Sequence, residues 1–247
     1  MIEELKQEAK KLISEAKNVS IISSQDNEPE SLSACLALFY TLKELNKNVN
    51  LVIDNLPPKV KFLTPGADYV FTPQNFVISI PRNIADISQV YYEKNEENIK
   101  IHLTTQRGVL KKDDISFYYT QAKPDLVITV GIRDFRKEME NKLDSFGFLL
   151  GAPILNIDNN VLENQKFGKI NLVFESSISE TTQSLVETFQ DALAIKNVAE
   201  CLLTGLVIYY QNFQNQKTNP KVFKTVSILM EKGADYHKIL ENLNKQN

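Results

Sequence analysis

The chain has 247 residues, 43% of them apolar, with 8 glycines and 9 prolines, so it can bury a sizeable core and is neither low-complexity nor disordered. A net charge of −3 and a pI near 5.6 give no whole-chain field toward nucleic acid or an anionic membrane. Cys35 and Cys201 are the only cysteines and no Cys-x-x-Cys is present, which argues against a thiolate zinc site.

In the N-terminal MIEELKQEAKKLISEAK, residues Ile2, Leu5, Ala9, Leu12, Ile13 and Ala16 recur at helical spacing. This predicts an amphipathic helix over 2–17, not a signal peptide. Val19–Ser23 is a short β-branched run, hence a strand. SQDNEPE follows as a polar turn, in which Asn27 and Glu30 fit a capping box with Pro29 in the first turn. Leu32, Cys35, Leu36, Phe39 and Leu42 mark a helix to about Leu45, and Val49–Ile53 is the next strand. Such strand–helix–strand units with near-continuous apolar strands predict a parallel sheet covered on both faces.

Residues 70–122 read differently. Phe76–Ile80, Gln89–Glu93 and Lys100–Leu103 are short strands with a turn at Lys94–Glu97, an inserted antiparallel sheet. Thr104–Gly108 reads as a polar turn, and His102 as a strand residue. The parallel pattern resumes with strands Leu126–Val130, Pro153–Ile157 and Ile170–Phe174. Helices are expected over Arg133–Asp144, Thr181–Leu193, Lys196–Gln211, from Asn219 or Pro220 to Gly233, and over Tyr236–Leu243. The apolar runs, such as Leu202–Tyr210, are too short to span a bilayer. Both cysteines fall in helical stretches as buried thiols, and the chain reads as a single cytoplasmic α/β domain over 1–247 with no membrane partner.

In open parallel sheets ligands bind beyond the carboxyl ends of the strands. Three strands deliver loops there: Ser23–Glu30, Gly131–Asp134 and Asn156–Asn160. These segments carry a resemblance. NVSIISSQDNEPESLSACLALFYTLKEL resembles the first motif of the DHH (Asp-His-His) phosphoesterase superfamily, His-x-x-Pro-Asp-x-Asp running into a helix. PILNIDNN and FGKINLVFESSISETTQSLVE resemble its Asn-Ile-Asp-His-His segment and the strand and Ser/Thr-rich helix start that follow. CLLTGLVIYYQNFQNQKTNP resembles its Leu-Leu-x-Gly-Ile-x-x-Asp-Thr helix, and DLVITVGIRD the strand that ends in a ligand Asp. The resemblance spans nearly the whole chain, but the family's separate C-terminal substrate-binding domain has no counterpart in the sequence.

The resemblance implies a fold that holds two divalent ions, usually manganese, about 3.5–4 Å apart for hydrolysis of oligonucleotides, nucleotides or polyphosphate. Carried over residue by residue, the ligand positions fall on Ser24, Glu28, Glu30, Gly131, Asp158, Asn159, Asn160 and Tyr209. Only Glu28, Glu30 and Asp158 bear a carboxylate, and none of the eight is a histidine. The expectation is therefore a degenerate site and a catalytically inactive protein with no cofactor. It would act as a binding or regulatory module for a phosphate-containing small molecule, a short oligonucleotide, a second copy or an active paralogue.

Ser177, Ser179, Thr181 and Thr182 at a helix start, with Arg133, are the candidate phosphate contacts. The plainer reading of the hydroxyls is helix capping, and of Asp158-Asn159-Asn160 a strand-end turn. The alternative is an active phosphoesterase with Mn2+ or Mg2+ on Glu28, Glu30 and Asp158.

Overall fold

The computed structural model describes residues 2–24, 28–52, 56–64, 74–121, 123–139 and 151–245. The chain divides into two compact units, Met1–Pro73 with Lys123–Asn247, and Gln74–Ala122. The first opens with α1 (Ile2–Glu15), β1 (Asn18–Ser23), α2 (Pro29–Glu44), β2 (Asn48–Val52) and the single turn α3 (Pro58–Lys61). The second unit holds β3 (Gln74–Ser79), β4 (Ala85–Lys94), β5 (Ile99–Gly108) and β6 (Ser116–Gln121). The first unit then resumes with β7 (Leu126–Val130), α4 (Phe135–Met139), β8 (Ile154–Asp158), β9 (Ile170–Val173), α5 (Ile178–Val186), α6 (Lys196–Tyr209), α7 (Pro220–Glu231) and α8 (Tyr236–Asn244).

The first unit is an α/β fold on a five-stranded parallel sheet in the order β2-β1-β7-β8-β9. Its strands are apolar on both faces because both faces are covered. Along β1, Ile21 enters the large core under α1, α2, α5 and α6, and the next residue, Ile22, enters a second core with Phe135 and Met139 of α4. Leu126, Ile128 and Val130 face the first core while Val127 faces the second. Each such side chain, buried to 6% exposure or less, contributes about 1.5–3 kcal/mol of transfer free energy. The thiols of Cys35 and Cys201 are free and buried, and burial raises both pKa values. Among the described residues no helix is long and apolar enough to cross a membrane.

Some local expectations need correction. The N-cap of α2 is Glu28, without a side-chain hydrogen bond, and Asn27, the expected cap, lies outside the described residues. Helix α5 begins three residues earlier than expected, because Ser177 and Glu180 form a true capping box, and it ends at Val186. Of the helix expected over 133–144, the described part is Phe135–Met139, and 140–144 lie outside the described residues.

In the second unit β4 and β5 form a hairpin ten residues long on each side, so Thr104–Gly108 is strand rather than turn. Asn95 closes it by accepting from the Glu97 and Asn98 amides. The segment SFYYTQ, unassigned from sequence, is β6 and pairs antiparallel with β3.

Candidate functional site

Strand β1 connects leftward to β2, and the sheet grows rightward from β7, so the crossover reverses between β1 and β7. That reversal parts the loops and opens a crevice at the carboxyl ends of the strands. A cleft of about 470 Å3 lies there, lined by Ser24, Glu28, Gly131, Arg133, Glu138 and Glu163 among others. Beyond β8 and β9 lies a second cleft of about 720 Å3, with Asn159, Asn160, Leu162, Ser176, Tyr209 and Lys217 in its wall. Seven of the eight ligand positions of the resemblance come from these strand ends or the start of the helix that follows, and Tyr209 from the end of α6, but the described residues use them differently from a metal centre.

Glu30 leaves the cleft. Its side chain is buried, and Oε1 accepts the Ser177 hydroxyl at 2.7 Å and the Ser179 amide at 3.4 Å. Oε2 meets Asn159 Nδ2 at 3.5 Å. A carboxylate from α2 thus sits on the first turn of α5, where amides converge and the helix dipole favours negative charge. Burial raises its pKa from 4.5 to about 7, the donors at Ser177, Ser179 and Ile178 opposing that rise. The helix start assigned to phosphate is therefore already bonded from inside the protein. The Thr182 and Ser179 hydroxyls are buried without a hydrogen-bond partner among the described residues, and Thr181 Oγ1 pairs with Ser176 Oγ at 3.1 Å.

Asp158 is buried at the end of β8. Its Oδ1 accepts the Asn159 amide and its Oδ2 accepts Asn164 Nδ2, both at 2.8 Å. Asn164 also donates to the Ile132 carbonyl at 3.0 Å and accepts from Asn156 Nδ2 at 2.9 Å. Burial raises the Asp158 pKa, while Asn164, the backbone donors and the Arg133 charge pull it down. A carboxylate with both oxygens held by N–H groups acts as a hydrogen-bond hub, and binding a metal would cost those bonds.

The other positions are closed differently. Ser24 donates from Oγ to Glu138 Oε2 at 2.9 Å, and Glu138 Oε1 takes the Arg133 amide at 2.9 Å, tying the β1 loop to α4. Gly131 has φ +71, and a Cβ there would lie 2.5 Å from Ser31 Oγ, so an aspartate would strain the backbone and require the Ser31 hydroxyl to move. Glu28 is half exposed, with Oε1 3.9 Å from Arg133 Nη2, and Arg133 Nη1 lies 3.5 Å from Glu163. Asn160 caps its own loop through Glu163. Tyr209 ends α6 in the wall of the larger cleft, and Lys217 Nζ donates to its hydroxyl at 3.2 Å.

Among the described residues no three His, Cys, Asp or Glu side chains form a group that could hold a metal ion. The carboxylates of Glu28, Glu30 and Asp158 do not form such a group, and the oxygens of Glu30 and Asp158 accept from protein N–H and O–H groups. The described residues do not fit a two-cation centre. Of the histidines, His102 stacks on Tyr91 in the hairpin at 4.6 Å, and His237 is on α8.

Sequence reading missed Asn164, Glu138 and Lys217. Asn156 was in view only as the start of a loop. Asn156, a polar residue inside an otherwise apolar strand that ends at Asp158, was a signal for a polar network, but the partner of Glu138 lies 114 residues away, beyond any local pattern.

No family model matches the sequence, and no curated protein matches it. Among solved structures the chain is similar to an exopolyphosphatase-related protein from Bacteroides fragilis, with a TM-score of 0.69 and 15% sequence identity. The match covers 99% of this chain and 61% of that one, so the chain spans about three fifths of the length of that protein. At this identity the likeness is one of fold.

Proposed function

We propose that this chain is a divergent DHH-type phosphoesterase fold that binds a phosphate-bearing ligand without hydrolysing it and serves as a binding or regulatory module. The ligand would be a small phosphorylated molecule or a short oligonucleotide. The observation that carries the reading is the internal use of the two carboxylates best placed for metal: Glu30 is bonded to Ser177 and Ser179, and Asp158 to Asn159 and Asn164. Hydrolysis of a phosphoester at this fold's cleft needs an activated water and several positioned groups. Losing one positioned general acid or base typically costs 10²–10⁴ in rate, and here imidazoles and aspartates are replaced together. The similarity to an exopolyphosphatase-related protein supports the fold half of the reading.

The test measures hydrolysis and binding side by side. Short oligoribonucleotides, nucleoside phosphates, cyclic dinucleotides and polyphosphate are incubated with the protein and millimolar manganese, and a thermal-shift screen uses the same compounds in EDTA. The expected result is no turnover, with at least one phosphate-bearing compound raising Tm. Manganese-stimulated turnover that disappears in Asp158→Asn would show an active enzyme with an atypical carboxylate site instead.

A further inference from the structure

The larger cleft holds a cation that the sequence reading did not single out. Lys217 lies in the connection between α6 and α7, and that connection is built to return it to the end of α6. Gln211, Asn212 and Phe213 all take left-handed backbone angles, φ +49, +56 and +63, which turns the chain sharply after Tyr210. Phe213 is fixed between Tyr210, Phe223 and Tyr236 by ring contacts at 5.7–6.4 Å. Asn215 then ties the return: its Nδ2 donates to the Tyr209 carbonyl at 3.0 Å and its Oδ1 accepts the Lys217 amide at 2.9 Å. The result is an ammonium 5.3 Å from the centre of the Tyr209 ring and 3.2 Å from its hydroxyl.

The charges around this pair leave it available. Among the described residues no carboxylate pairs with Lys217 within 4 Å, although Glu175 and Glu180 line the same cleft and the charges of Glu175 and Glu30 act on it. Glu180 is engaged by the Tyr210 hydroxyl and the Ser177 amide. Tyr209 Oη accepts the hydrogen bond from Lys217 Nζ, and no acceptor for its own O–H is found among the described residues. Lys217 has further N–H donors to give. Lys221 is in the same wall, and so is Ser176.

From this we infer that Tyr209 and Lys217 form a metal-free oxyanion receptor, in which an ammonium and a phenol take a phosphate dianion directly. The inference rests on the reading that the protein binds a phosphate group, and it names the site and the chemistry. The terminal phosphate would accept from Lys217 and the Tyr209 hydroxyl, with Lys221 adding long-range attraction. It places the ligand away from Arg133, which the sequence had suggested, because Arg133 is shared between Glu28 and Glu163 in the other cleft.

Isothermal titration in EDTA with inorganic phosphate, and with a dinucleotide carrying or lacking a 5′-phosphate, tests this. Removal of a charged donor predicts binding at least about tenfold weaker in Lys217→Gln, and a smaller loss in Tyr209→Phe. Arg133→Gln should bind as the parent does. Preference for the 5′-phosphorylated dinucleotide over inorganic phosphate would assign the anion to an oligonucleotide end; equal affinity would assign it to a small phosphate. Both side chains are solvent-accessible, so an unchanged Tm in each variant confirms that folding is intact. Phosphate binding that Arg133→Gln abolishes and Lys217→Gln leaves alone overturns this site while keeping the proposed function. If none of the probes binds the parent protein, both fall.

Discussion

The Glu30 carboxylate accepts the Ser177 hydroxyl at 2.7 Å across 147 residues of sequence. It joins the first turn of α2 to the first turn of α5, the two helices that flank the sheet's carboxyl edge. Its pKa of about 7, raised by burial from 4.5, links this contact to pH. Between those values the folded chain holds a proton that the unfolded chain has released. Stability from this group is therefore complete below pH 4.5 and declines as pH rises through 7, by roughly 3 kcal/mol in total. Glu30→Gln keeps the acceptor oxygen and removes the titration. Urea melts from pH 4.5 to 8 should show the parent losing stability relative to Glu30→Gln across that window. Parallel curves would show that Glu30 titrates at its ordinary value.

Asn164 ties three buried groups together. Its amide serves Asp158, Ile132 and Asn156 together, all in the buried interior. Asn164→Ala leaves Asp158 with a buried oxygen lacking its donor, a penalty of about 1–3 kcal/mol or more. Chemical denaturation at pH 7 measures it. The loss should shrink at pH 4, since Asp158 already has a raised pKa and protonates readily without its donor.

Gly131 decides whether the strand-end aspartate of the resemblance could be restored. Gly131→Asp meets both the left-handed φ and the Ser31 hydroxyl. It should destabilise by about 2 kcal/mol or more. Adding Ser31→Gly should recover the steric part alone, so the double variant stays below the parent in a thermal melt and gains no manganese affinity.

Gln211 gives the opposite sign. It occupies a left-handed conformation at φ +49 on an exposed turn. Gln211→Gly should raise stability by about 0.5–1 kcal/mol, since Gly has no Cβ penalty there. Differential scanning calorimetry would read this as a higher Tm. A fall would mean the Gln211 side chain makes contacts that outweigh its strain.

The parallel sheet was legible because Val19–Ser23, Leu126–Val130 and Ile170–Phe174 are short apolar runs set between amphipathic helices, and local periodicity reports burial directly. The start of α5 was misplaced because serines read as loop until their partners are known: Ser177 caps the helix and also holds Glu30. The candidate site was legible as a set of positions and opaque as a set of bonds. Ser24, Glu30 and Tyr209 were all singled out, yet what each does is fixed by Glu138, Ser177 and Lys217. Two of those partners lie more than 100 residues away, and the third is reached through three consecutive left-handed residues. Composition carries no trace of such closures.

The β4–β5 hairpin sorts its side chains by alternation. Val90, Tyr92, Ile99 and Ile101 share one side, and the Tyr91–His102 stack shares the other with Glu93 and Lys100. Its pairing is interrupted near Asp86 and Ile87. That irregularity works as an index mark: a slip by one residue would exchange the two sides wholesale, sending the greasy row where the stack and the charges now lie. A two-stranded ribbon also has open edges on which another chain can template, and the directly opposed Glu93 and Lys100 put charge on one of its sides.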